Sequence, residues 1–410
     1  MLRLARSALF AVISLVAVIA AAHLVLPAET PSSVRRQLTH LRHELTTGAA
    51  ERAQDGFPEG YFFLYALYGL TAVQLGDAAQ ARWALDRIDS DTGRAPFASS
   101  LVPAYGVFYR GWVNWLRGGL LAAQHPADRD PAQVSRFDQD SAELAAAFDA
   151  SPTPFLAAYP GQAWPVDSTV AIASLRLHDT ITTPRFDTTV TRWLAAARSR
   201  LDPVTGLLPH TADVDTGRPT SGARGSSQSM IQRFLPEIDP AFARTQYLIF
   251  RTAFLDRPWG LGPAVREYPH GTDGPGDVDS GPLVHGISLS ATVVTLGAAR
   301  IQGDSALSGA LATAGDVFGV PIDTITTRRY AFGVLPIGDA FLAWAKSARP
   351  LVAAVPSAPP AVISWWWRLP LLAVFLLLGA APWLTRALRR RPTRRWLTRG
   401  LLRRRTARSA

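Results

Sequence analysis

Several acidic residues of this chain sit where apolar sequence ought to exclude them. The stretch Arg257–Pro282, RPWGLGPAVREYPHGTDGPGDVDSGP, holds Glu267, Tyr268, His270, Asp273, Asp277 and Asp279 between its glycines and prolines. A loop that long in a compact domain is more often functional than a simple connector. Asp167 follows Trp164-Pro165-Val166 and precedes the apolar run TVAIASL; Glu59 stands in Phe57-Pro58-Glu59-Gly60-Tyr61, ahead of another. An acid in a first helical turn is favoured electrostatically without any chemistry, but at the head of a buried helix it faces a cavity or a partner. Facing carboxylates perform general acid and base work. Asp167, Glu267 and Asp279 are therefore the candidate catalytic acids, with His270, close to Glu267, as an acid–base candidate. Glu59, Tyr61, Tyr105, Trp164, Arg224, Ser227, Tyr268 and His285 are candidate substrate-binding residues, combining rings that stack on sugar faces with groups that orient a ligand. His285 is expected one turn inside a buried helix. His210, in GLLPHTADVDTG beside Asp213 and Asp215, reads as part of a solvated turn. Arg224-Gly225-Ser226-Ser227 could meet an anionic group, and it reads equally as helix capping.

Other chemistries find little support. Cysteine is absent, which removes disulfides, thiolate nucleophiles and Cys-ligated metals. No G-x-S-x-G elbow, H-E-x-x-H pair or P-loop occurs. The segment DGPGDVDSG offers acids at 273, 277 and 279 to a Ca2+ ion, but without the EF-hand spacing or its closing glutamate; the competing reading is a glycine-rich turn carrying solvated acids. No metal site and no cofactor is expected beyond that Ca2+ possibility.

Elements must position these groups. Helical apolar spacing recurs in twelve segments, roughly 32–48, 58–75, 77–90, 104–124, 132–149, 165–178, 186–200, 224–236, 239–254, 281–302, 304–317 and 336–347, while alternating strand-like runs are scarce. The odd-numbered segments are mostly amphipathic and arginine-bearing, whereas even ones such as YFFLYALYGLTAV and GISLSATVVTLGAA are apolar nearly all round. A helix apolar on every side is buried on every side. Pro58, Pro103, Pro165, Pro282 and Pro336 stand in or beside the first turns of five even segments, where proline is preorganised.

Twelve helices in six hairpins, with inner helices inside outer ones, resemble the (α/α)6 toroid of six-hairpin glycosidases, polysaccharide lyases and linalool dehydratase-isomerase-like enzymes. The resemblance spans about residues 32–347 and rests on helix number, alternation and elements such as Trp164-Pro-Val-Asp167 and Arg224-Gly-Ser-Ser227. It implies an all-α fold whose inner helices aim their N-termini into one mouth, the usual active site of that architecture. The absence of cysteine departs from the linalool enzyme.

Both ends read as membrane segments. Leu9–Leu26 is a nearly unbroken apolar run behind Arg3 and Arg6, and Trp365-Trp366-Trp367-Arg368 leads into LPLLAVFLLLGAAPWL. The tail Arg386–Ala410 holds eleven arginines and no acid; removing eleven charges from the formal +10 leaves −1, so the rest of the chain is near neutral. That distribution argues for topology rather than nucleic-acid binding. The expected organisation is a signal-anchor or transmembrane helix (1–29), an extracytoplasmic toroid (30–347), a Pro-rich spacer (348–363), a second transmembrane helix (364–385) and an Arg-rich cytoplasmic tail (386–410). The expected function is a membrane-tethered enzyme, hydrolase or lyase, acting on a glycan or other cell-envelope substrate through carboxylates. In the lyase version His270 or Tyr268 is the base and Arg224 neutralises a uronate. The alternatives are a non-catalytic binding or assembly protein and a dehydratase-isomerase of a terpenoid alcohol.

Overall fold

A computed structural model of the chain describes residues 2–26, 31–352 and 356–390. Most of the expected arginine-rich tail, from 391 onward, lies outside the described residues, as do Met1, residues 27–30 and part of the spacer. The chain divides into two compact units, one made of its two ends and the other of His23–Arg368.

In the terminal unit, α1 (Leu2–Val25) pairs with α16 (Arg368–Arg390). The Ser14 hydroxyl donates to the Gly379 carbonyl at 2.8 Å, the Trp383 indole N–H donates to Ser14 Oγ at 2.8 Å, and Phe10 meets Trp383 edge-on. Small and hydroxylated residues at such a crossing let two apolar helices approach closely. The segments Ala5–Val25 and Trp365–Leu388 are each long and apolar enough to cross a membrane.

The larger unit is helical, with only short hairpins. All twelve expected segments contain a helix: α2 (Pro31–Thr46), α4 (Gly60–Leu75), α5 (Ala78–Ile88), α7 (Gly106–Ala122), α8 (Pro131–Ala150), α9 (Pro165–Ile181), α10 (Asp187–Arg198), α11 (Gly225–Phe234), α12 (Pro240–Phe254), α13 (Leu289–Ile301), α14 (Ser305–Phe318) and α15 (Pro336–Lys346). Two short helices, α3 (Ala49–Gly56) and α6 (Asp91–Arg94), lie in connections. Three two-stranded hairpins occupy longer loops: β1 (Thr211–Ala212) with β2 (Pro219–Ser221), β3 (Leu255–Asp256) with β4 (Ala264–Val265), and β5 (Ile322–Asp323) with β6 (Arg328–Arg329).

The tenth segment begins later than its sequence suggests. Residues 281–287 form turns, and α13 starts at Leu289 with Ser288 Oγ accepting from Ala291 N–H. Gly281, His285 and Gly286 all have positive φ, so no right-handed helix can run through them. Pro282 therefore initiates nothing, and His285 is an exposed loop residue rather than a helical one. Pro165 and Pro336 do occupy first helical turns.

Burial follows the expected alternation. In α4 nearly every side chain is buried, while α5 buries only Ala81, Ala84, Leu85 and Ile88. The buried helices pack on one another: α4 on α7, α7 on α9, α9 on α11, α11 on α13, α13 on α15, and α15 on α4. The amphipathic ones lie against them, α2 on α4 and α15, α5 on α4 and α7, α8 on α7 and α9, α10 on α9, α12 on α11, and α14 on α13. The α7–α9 contact is close because Gly111 faces the backbone of Ala171, where an added Cβ would come within 3.0 Å. Trp112 of α7, Phe234 of α11 and Trp344 of α15 meet with ring centroids 5.4 to 6.2 Å apart, joining three helices that are not successive in that order.

The described part of the Pro-rich segment is not a free spacer. Ala358 N–H donates to Gln302 O at 2.7 Å, Ala361 N–H to Asp304 Oδ1 at 3.1 Å, and Arg257 to the Val362 carbonyl. Proline and alanine predict an extended chain, but not the acceptors and arginines waiting along its path.

Candidate functional site

Three helix starts and one loop supply the site. Glu59 immediately precedes α4, and its carboxylate accepts the Tyr159 hydroxyl. Tyr159 packs edge-on against Trp164, with ring centroids 5.6 Å apart. Trp164 immediately precedes α9, whose first turn contains Asp167. Among the described residues no side-chain hydrogen bond reaches the Asp167 carboxyl, and burial followed by the charges of Asp279 and Glu59 holds its pKa well above the carboxylate range. Asp279 keeps contact with solvent, yet surrounding protein is the main cause of a rise to about 6, with Asp277 and Glu59 adding to it. Its carboxyl, too, has no hydrogen-bond partner among the described residues.

The start of α11 is built differently. Gly225 N–H donates to the Glu267 carbonyl at 2.8 Å, and a Cβ on Gly225 would fall 2.0 Å from the Arg266 carbonyl oxygen, so only glycine permits this approach. The buried Glu267 carboxylate accepts from Ser226 N–H at 3.0 Å, Ser226 Oγ at 2.7 Å and Arg224 Nε at 2.8 Å. Burial lifts its pKa despite the opposing pull of Ser226 and Arg224. Arg224 also pairs with Asp277 at 2.5 Å and lies over the Tyr268 ring, 5.1 Å from its centroid. One of its guanidinium nitrogens, Nη2, is buried with no hydrogen-bond partner among the described residues. Against the upward push of burial, Ser280 N–H and Arg224 hold Asp277 below its usual value.

His210 belongs here as well. It is buried, its Nδ1 is hydrogen-bonded to the Ser227 hydroxyl, and burial with the nearby Arg224 charge lowers its pKa to about 4. The imidazole is therefore neutral at physiological pH. Its reading as part of a solvated turn is corrected: the β1–β2 hairpin packs it against the first turn of α11. Tyr159 was not among the sequence candidates. Its partner Glu59 is a hundred residues away, so no local pattern announces it.

The remaining candidates make other contacts. Tyr61 is buried against Tyr65, and Tyr105 lies beside Tyr109 and Arg94. His270 is exposed, its Nε2 at 3.1 Å from Leu255 O, and it does not pair with the buried Glu267. His285 lies 4.6 Å from the Trp259 ring centroid. Asp273 is bound by Arg266 at 2.6 Å. The loop acids 273 and 277 thus each meet an arginine, and among the described residues no group of three or more His, Asp or Glu side chains is arranged to hold a metal ion.

Chemically the arrangement separates two carboxyls by environment. Burial and like charges raise the proton affinity of Asp167, and Asp279 is raised to about 6, an environment in which acid and base roles can fall to different members of one cluster. Comparison with known proteins found no matching protein family and no matching curated protein.

Proposed function

We propose that the larger unit is an (α/α)6 toroid and that its acid cluster performs acid–base catalysis on a neutral, hydroxyl-rich substrate of the cell envelope, foremost a carbohydrate. Each buried helix packs on the next and the last on the first, which favours an inner ring; the aromatic meeting of Trp112, Phe234 and Trp344 would plug it below the mouth. The observation that carries the catalytic reading is the buried Asp167, in the first turn of α9, within electrostatic reach of Asp279 and Glu59. Asp167 would protonate a leaving oxygen, and Asp279 would activate water or attack the carbon left behind. An anionic substrate is disfavoured, because Glu267 and Asp277 already neutralise Arg224 and the remaining acids repel a carboxylate. The same buried acid, flanked by Tyr159 and Trp164, also suits loss of water from a terpenoid alcohol.

In topology, the arginine-rich tail would keep both termini cytoplasmic and place the domain outside. The test is turnover by the full chain of neutral glycans and, separately, polyprenoid alcohols, compared with Asp167→Asn and Asp279→Asn. The reading expects losses of about 10²–10⁴-fold in both variants. Unchanged turnover in both would remove the assignment, and turnover of the alcohols alone would shift it to dehydration.

A further inference from the structure

Large apolar side chains exposed on the larger unit are not scattered. Of thirteen between residues 31 and 352, ten lie between 259 and 335: Trp259, Val278, Val284, Leu289, Phe318, Val320, Ile325, Phe332, Val334 and Leu335. They belong to the two connections that lead into α13 and α15, plus the ends of the flanking helices. Exposed apolar side chains concentrated in this way mark a candidate interaction surface. Five of the six non-glycine residues with positive φ occur in the same connections: Trp259, His285, Val320, Ala331 and Phe332. Valine and the aromatics rarely adopt that backbone, so rigid loops hold Trp259, Val320 and Phe332 outward at some cost.

What covers this surface is indicated by where the chain leaves the domain. Arg257 binds the Val362 carbonyl, and a Cβ on Gly262 would lie 3.2 Å from the Trp367 ring. The second candidate membrane span begins at Trp365, so it starts beside the Trp259 loop, with Trp365 and Trp366 exposed next to it. Arg36, in the second turn of α2, pairs with Asp323 of β5 at 2.9 Å, and α2 follows the first candidate span. The chain near Trp367 thus adjoins the connection that carries Trp259, and the start of α2 adjoins the connection that leads into α15. Tryptophan at such a position belongs to the headgroup region of a bilayer.

We infer that these two connections rest on the lipid bilayer and that the acid site opens beside it. Val278, exposed between Asp277 and Asp279, joins the apolar surface to the site. On the proposed catalytic reading, the substrate is then an amphiphile, with its hydroxyl-bearing head at Asp167 and Asp279 and its hydrocarbon chain still in the membrane. Apolar surface so placed would guide the chain and shield the acids from bulk water.

The chain contains no cysteine, so single cysteines can be placed without background. Ile325→Cys and Phe332→Cys, each labelled with bimane in the full chain, are compared with Thr183→Cys, an exposed site beyond the C-terminal end of α9. The proteins are held in phosphatidylcholine–phosphatidylglycerol nanodiscs with or without acyl-chain spin-labelled phosphatidylcholine. Lipid contact predicts quenching about threefold or more stronger at 325 and 332 than at 183, because an apolar face settles roughly 5–10 Å into the headgroup–acyl boundary. Equal quenching at all three positions overturns the inference. So does quenching at 325 and 332 by a second, spin-labelled copy of the chain in place of lipid, which would make the surface a dimer interface. Circular dichroism of each labelled variant checks that the fold is retained. Equal quenching with turnover still dependent on Asp167 removes the docking alone; strong quenching with turnover indifferent to Asp167 removes the acid chemistry alone.

Discussion

Two polar clusters in the same unit show what separates a scaffold from a site. In the first, between α14 and α15, Asp316 accepts from Lys346 and from the Tyr330 hydroxyl, each at 2.6 Å, and meets Arg328 at 3.2 Å. Each carboxylate oxygen there faces a cation. In the second, buried Asp167 feels the charges of Asp279 and Glu59, Asp279 is exposed, and no hydrogen bond reaches either carboxyl among the described residues. Asp339 sharpens the contrast. Burial raises its pKa to about 6, as for Asp279, but Tyr330 N–H and Gln37 hold it. A raised proton affinity is thus common to a brace and a candidate acid; the missing partner distinguishes them.

The largest effect should come from breaking the first cluster. Lys346→Met leaves Asp316 facing only Arg328 and Tyr330 and is expected to cost about 3–5 kcal/mol, measured by denaturant unfolding of the full chain in detergent. A loss below about 1 kcal/mol would mean that the two clusters do not differ in stability.

Next comes the pH response of the site. The pKa of His210 is depressed in the fold, so the stability it contributes is complete above its unfolded value near 6.5 and is lost as pH falls toward 4. His210→Phe should flatten that decline by up to about 3 kcal/mol, read from unfolding midpoints between pH 7 and 4. An unchanged slope would place the imidazole in water.

Asp167 has the opposite sign. Its raised pKa makes its contribution complete below about 4 and lost as pH rises through the folded value. Asp167→Asn is therefore expected to stabilise the domain at pH 8 with little change at pH 4, whereas a residue bonded like Asp316 would destabilise on the same change. A lower melting temperature for the variant at pH 8 would show that the carboxylate has a partner after all. The smallest effect is that of Tyr159→Phe, which removes the hydroxyl donor to Glu59 and should cost about 0.5–1.5 kcal/mol; no cost would sever Glu59 from the cluster.

Much of this framework can be read from the chain itself. The apolar runs of α4 and α9 leave no face for water, so their burial and the awkward position of Asp167 follow from composition and spacing. The start of α13 does not, because Pro282 satisfies a helix-start rule that the left-handed Gly281, His285 and Gly286 override. Nor does the burial of His210, whose neighbours Asp213 and Asp215 suggest solvent while its partner Ser227 lies seventeen residues on. Local chemistry proposes the groups; long-range pairing decides which of them meet.

Asp304 has a mechanical consequence. Fully buried, it caps α14 through Leu307 N–H and receives Tyr247 and Arg251 from α12 and Ala361 N–H from the departing chain. Tension on the polypeptide beyond residue 364 would meet Arg257 at the Val362 carbonyl and then Asp304 at Ala361 N–H, so the domain is gripped at its exit rather than suspended from a slack cord.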